Sequence, residues 1–188
     1  HMLLRDGTVC NRGYGEEDRG AYDRRETVWG ANGAAPIYSM RMLRELSLGP
    51  AEFFDETFFI YGEDADTDWR AHGRAFRCVY EPGAVAYHAA EGSAGLREPR
   101  IRRQYVRNAQ IVKMMNAPLG ELARRMLGGI AAEHFRYGLG DPTGAALNAS
   151  ETVLLLPRIL TRRRQRRTST DRGRRRASAF VDSDNPKR

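Results

Sequence analysis

An α/β chain is expected here, mixed at first, helical later and ending in a basic tail. Three observations predict it. Residues 79–88 read as two short strands broken at Pro82-Gly83, because β-branched and aromatic residues flank a turn pair. Acids open an expected helix at 64–73, where negative charge suits the positive end of the helix dipole. From residue 100 onward Ile101, Tyr105, Ala109, Val112 and Met115 fall on one helical face.

The elements follow in chain order. Residues 3–27 are polar, with Gly7, Gly13, Gly15 and Gly20, and read as a strand fragment followed by a long loop. Val28 to Tyr38 is small and apolar, a strand or a close-packed turn where backbone must approach another group. Ser39 caps a short helix over 40–48 with apolar Met40, Leu43 and Leu46, closed by Gly49-Pro50. A loop over 91–99 precedes the helix at 100–116. Pro118 interrupts that helix, and a further one is expected over 119–139. Gly140-Asp141-Pro142-Thr143-Gly144 is a turn, and a last helix covers 145–160. The expected divisions are 3–118, then the helices of 119–160, then a disordered basic tail over 161–188.

Composition bounds the function classes. A hydrophobic content of 41% in 188 residues supplies a core for one domain. No apolar run approaches the roughly 18–20 residues of a membrane span, and no secretory signal is read. Cys10 and Cys78 form no CxxC pair, so a reduced, cytosolic setting is the expectation. His1-Met2 reads as the remnant of a removed tag, without function.

The net charge of +7 is unevenly placed. Residues 161–188 hold eleven Arg or Lys against three Asp, which leaves the preceding 160 residues close to neutral. The arginine run has three readings: a solvated end, a patch for anionic lipid, or a nucleic-acid arm. With Phe180 as its one aromatic, it lacks the interleaved stacking residues of a single-strand binder, so nucleic acid is the least favoured partner.

Chemistry converges at one place. Glu63, Asp64, Asp66 and Asp68 stand within six residues, behind the aromatic block Phe53, Phe54, Phe58, Phe59 and Tyr61, with His88 further on. Carboxyls near an apolar wall can be tuned for base work, and a carboxylate with a histidine can share a divalent metal. A calcium loop is excluded, because its sixth and twelfth positions would be Trp69 and Ala75 instead of Gly and Glu. Gly13-x-Gly15 and Gly30-x-x-Gly33 lack the strand–loop–helix setting of a phosphate loop.

Over about residues 5–118 the order of these pieces resembles the carboxyl-terminal half of a family 2 inverting glycosyltransferase of the bacterial rhamnosyltransferase-like kind. The resemblance rests on a small-residue stretch from Gly30 to Tyr38 ahead of Leu43. It rests also on Phe54-Asp55-Glu56-Thr57-Phe58-Phe59-Ile60-Tyr61-Gly62-Glu63-Asp64-Ala65-Asp66, on Arg70, on Pro82-Gly83-Ala84 with His88, and on Arg107-Asn108. It departs at Thr67, where Leu is usual, and at Gly73 and Ala75.

The resemblance implies a partial nucleotide-diphospho-sugar transferase (GT-A) fold, with the donor-binding half and its Asp-x-Asp motif lacking a counterpart. It implies Asp64 as general base, Glu63 as a positioning carboxylate, His88 as ligand to Mn²⁺ or Mg²⁺, and Asp66, Trp69 and Arg70 on the acceptor side. A nucleotide-sugar donor, a cell-envelope glycan or lipid-linked acceptor and a place at the cytoplasmic membrane face follow as expectations. The chain is then read as a fragment or degenerate relative, with exposed edges that favour a homodimer. The alternative is a non-catalytic remnant or a basic-tail module binding anionic lipid or nucleic acid.

Overall fold

Two antiparallel strand pairs and a set of helices make up the computed structural model, which describes residues 1–50, 52–88 and 98–167. The mixed α/β class is therefore as the patterning predicts. Strand β1 (Met2–Leu3) pairs with β2 (Val9–Cys10), Met2 opposite Cys10 and Leu3 opposite Val9. Strand β3 (Glu26–Val28) pairs with β4 (Cys78–Tyr80), Val28 opposite Cys78 and Glu26 opposite Tyr80. The strand expected after Pro82-Gly83 does not form: residues 84–88 are irregular and exposed. Without a neighbouring strand among the described residues to take its N–H and C=O groups, that stretch gains nothing from extended pairing. Most of the loop expected over 91–99 lies outside the described residues.

Helix α1 (Met40–Leu46) starts where Ser39 accepts a hydrogen bond from the Met42 N–H at 3.1 Å. Helix α2 (Glu63–Gly73) carries three acids in its first turn and Arg70 and His72 in its last, both favourable to the helix dipole. Its entry is unusual. Tyr61 (φ 63°) and Gly62 (φ 99°) are both left-handed, and a Cβ at Gly62 would press on Asn108, Phe58 and Val112.

Helix α3 (Pro99–Asn116) is capped by the Glu98 carboxylate, which accepts from the N–H groups of Arg100 and Ile101, with Pro99 in its first turn. Its buried Asn108 donates to the carbonyls of Ile60 (2.9 Å) and Tyr61 (2.8 Å), so α3 pins the left-handed entry of α2. Arg107 in turn holds the Asn108 carbonyl oxygen and pairs with Glu151.

After Pro118 come a short helix, α4 (Leu119–Glu121), a π-helical turn (Leu122–Met126) and α5 (Leu127–Gly140). Helix α6 (Pro142–Arg167) returns along α3 and α5. The core joins Trp29, Phe58, Ala65 and Trp69 to Ile111, Val112 and Met115 of α3 and Ile159 of α6. Among the described residues no helix is long and apolar enough to cross a membrane.

The expected boundary at residue 161 needs correction. Helix α6 continues to Arg167, and Arg162, Arg163 and Arg166 are buried. Arg163 donates to the carbonyls of Met114 and Ala117, both at 2.6 Å, and so closes the C-terminal end of α3. Arg166 reaches Asp55 (2.8 Å) and Asp66 (2.6 Å). Arg162 pairs with Glu52 and lies 3.3 Å from Asp55. The remainder of the tail lies outside the described residues.

These pairs set a pH dependence. Burial raises the Asp55 carboxyl, but hydrogen bonds from Thr57 and the charges of Arg166 and Arg162 outweigh it and hold the group below its ordinary 3.8. Burial also opposes ionisation of Glu151, and Arg103 and Arg107 outweigh it, leaving the group below 4.5. A carboxyl that is more acidic in the folded state stabilises fully above its unfolded value and loses that contribution as pH falls through the folded one. The urea midpoint is therefore expected to hold at neutral pH and fall as pH drops below 4.5 and then 3.8. A midpoint unchanged down to pH 3 (about one unit below the usual carboxylate range) would show these pairs to be energetically neutral.

Candidate functional site

Loop 30–34 lies against the first turns of α2, and this is where the chain brings its acids to backbone amides. The Gly33 N–H donates to Asp64 Oδ2 at 2.9 Å, and the Ala65 N–H to Asp64 Oδ1 at 2.7 Å. One turn along, Asp68 accepts from the Ala31 N–H at 3.2 Å. A Cβ on Gly30 would overlap the Asp68 carboxylate, and one on Gly33 would sit 3.3 Å from Asp64. The small residues of this stretch are thus there for close approach, as their run predicts.

Register explains the placement. Strand β3 ends at Val28, opposite Cys78, and Trp29 then turns into the core, its ring edge-on to Trp69 at 5.7 Å. His72 stacks on Trp29 at 5.3 Å and shares a hydrogen bond with the Trp29 carbonyl. Burial lowers the pKa of His72. Trp29 thereby ties the loop to α2 two turns below the acids.

Asp64 is half-buried, its side chain 18% exposed, and reachable from solvent. Glu63 beside it has its pKa raised by burial first and by the Asp64 charge as well. Its Oε2 is buried and has no hydrogen-bond partner among the described residues. Tyr38 completes the wall. Burial, followed by the charges of Asp68 and Asp64, raises its phenol, and its ring packs on Phe53 at 5.4 Å. Neither Tyr38 nor Asp68 is given a role by the sequence argument, although both belong to segments it singles out.

His1 also enters the site, against the expectation that it contributes nothing. Its α-ammonium donates to the Gly30 carbonyl at 2.7 Å, and its ring lies 2.6 Å from Asp68 and 3.6 Å from Asp64. Burial would lower its pKa, but the Asp68 hydrogen bond and the two carboxylate charges outweigh that and raise it. Burial raises Asp68, opposed by the same imidazole. When protonated, the imidazole between the two carboxylates offsets the cost of keeping Asp68 out of water.

The three residues expected on the acceptor side are placed elsewhere. Asp66 is wholly buried and held by Arg70 (2.8 Å), Arg166 (2.6 Å) and Asn116 (2.7 Å). Arg70 also donates to the carbonyls of Leu46 (2.6 Å) and Phe53 (2.8 Å), so its fork is fully engaged. Trp69 packs in the core. In this arrangement they support α2 from behind and are closed to a ligand: helical period puts residues 66, 69 and 70 on the face opposite the loop-facing 64 and 68.

His88 stands exposed on the irregular segment after β4. Among the described residues no three His, Cys, Asp or Glu side chains are grouped to hold a metal ion. His88 remains the residue expected to meet Mn²⁺ or Mg²⁺ on a donor diphosphate, and no chemical step below passes through a cation.

No protein-family model matches the chain, and no curated protein or solved structure matches it.

Proposed function

We propose that the chain is the acceptor-side part of an inverting, GT-A-type glycosyltransferase, with Asp64 as the base that deprotonates the acceptor hydroxyl. The observation that carries the reading is the seating of Asp64: one carboxylate at the start of α2, fixed by the Gly33 and Ala65 N–H groups yet open to solvent. An inverting transfer needs one positioned base on the side opposite the leaving group, and a half-buried carboxylate anchored at both oxygens meets that need. Glu63 adjoins it, and its unpartnered Oε2 would take a hydrogen bond from the acceptor or hold the base in place.

The remaining motif residues support the same reading from a distance. Asn108 fixes the entry to α2, and Asp66 and Arg70 brace its rear, so the motif positions serve to hold Asp64 still. The donor is a nucleotide sugar, and the acceptor a glycan or lipid-linked hydroxyl at the cytoplasmic membrane face. His88 and a divalent cation on the donor diphosphate belong to the same proposal.

The rival, a module acting through its arginines, loses Arg162, Arg163 and Arg166 as ligand contacts, since all three are spent inside the fold. Thermal unfolding with Mn²⁺ or Mg²⁺ and a panel of nucleoside diphosphates and nucleotide sugars separates the readings. A metal-dependent rise in Tm with one nucleotide, absent in His88→Ala, is expected. No shift with any nucleotide would mean that the chain holds no donor site, and the non-catalytic binding-module reading would move ahead.

A further inference from the structure

Among the described residues, the helical hairpin of α5 and α6 leaves an apolar outer face uncovered. Leu127, Phe135 and Leu139 are exposed on α5, the last two at 68% and 72%. On α6 the exposed apolar residues are Leu147, Val153, Leu154, Leu156 and Leu160, with Leu154 at 79%. Spacings of seven (147 to 154, 153 to 160) keep Leu147, Leu154, Val153 and Leu160 off the side of α6 that carries Asn148, Leu155 and Ile159, which face α3 and the core. Single exposed leucines need no explanation, but two rows on adjoining helices do.

Charge says what covers this face. Each acid of the hairpin is already engaged: Glu133 with Lys113, Asp141 with Tyr137 and the Gly144 N–H, and Glu151 with Arg103 and Arg107. Arg136 and Arg164 are exposed, whereas Arg124 pairs with Glu121 and Arg158 lies 3.5 Å from Glu52. An apolar strip with a basic rim repels a second copy of itself, since the same surface would meet in a two-fold pair. It complements an anionic lipid surface, where leucines enter the headgroup boundary and guanidiniums meet phosphates.

We infer that the α5–α6 hairpin docks on an anionic membrane surface through Phe135, Leu139, Val153, Leu154 and Leu160, with Arg136 and Arg164 at the headgroups. The inference stands on the hairpin alone and does not rest on sugar transfer. It moves lipid contact from the arginines of 162–166, three of which are buried, to the helices before them.

The test is flotation of the full chain with vesicles of phosphatidylcholine alone and with phosphatidylglycerol added. Binding only to the anionic vesicles is expected, falling about tenfold or more in Leu154→Asp and in Phe135→Asp, since each removes one buried apolar side chain from the contact. Both positions are exposed, so circular dichroism should be unchanged. Charge reversal of Arg174, Arg175 and Arg176 together should leave most of the binding in place. Binding lost in that tail variant but kept in Leu154→Asp would overturn the proposal in favour of the tail. So would absence of vesicle binding, or a wild-type dimer in solution that Leu154→Asp dissolves.

Discussion

Asp66→Ala should destabilise the chain by about 3–5 kcal/mol, the range for removing one partner from a buried ion network. Asp66 is 0% exposed and stands between two guanidiniums, Arg70 on its own helix and Arg166 on α6, with Asn116 of α3 donating to its Oδ1. Its loss leaves two buried cations close together. Asp55 is near enough to neutralise one of them, Arg166, at 2.8 Å. Against a total of about 5–15 kcal/mol for a domain, a loss of that size lowers the urea midpoint steeply or abolishes the transition. A paired variant keeps the claim testable if the single one fails to fold. Asp66→Leu combined with Arg166→Met removes both charges and should recover part of the loss, because a buried pair is often replaceable by apolar residues but not divisible. A single variant within about 1 kcal/mol of wild type (a surface-pair value) would mean that the network is solvated.

That network also shows where the sequence could be read and where it could not. Local signals carried the local structure. Ser39 before Met40 and the acids at the start of α2 are signals whose chemistry acts within one turn, and both helices begin within a residue of where these signals place them. The small residues from Gly30 to Gly33 foretold close approach and delivered it against Asp64 and Asp68. The arginine run misled because its partners are remote. Arg166 meets Asp55 across 111 positions of chain, and a run of arginines among polar residues reads as a solvated end when taken alone. The second strand failed for a related reason. Residues 84–88 have strand composition, but pairing needs a neighbour, and composition does not say whether one exists. Asp66, Trp69 and Arg70 lie beside Asp64 in sequence and on the other side of the helix in space.

Asp64→Asn should reduce sugar transfer by about 10²–10⁴-fold, the usual contribution of a positioned general base, without unfolding the chain. The amide oxygen of the substituted side chain can still accept the Gly33 N–H bond, and the position is half-buried at a helix start, where an asparagine is tolerated. The loss would then be one of proton acceptance. Glu63→Gln is the informative neighbour. Burial already disfavours its charge, so removing that charge should cost less than removing the charge of Asp64, while the amide keeps the volume against the aromatic wall. The assay is release of nucleoside diphosphate from the donor that raises Tm, with and without acceptor, so that hydrolysis is separated from transfer. Equal losses in the two variants would make Asp64 and Glu63 a coupled pair sharing the proton. Transfer within a few-fold of wild type in a folded Asp64→Asn chain would remove Asp64 from the chemistry, and with it the seating by Gly33 as the basis for a catalytic reading.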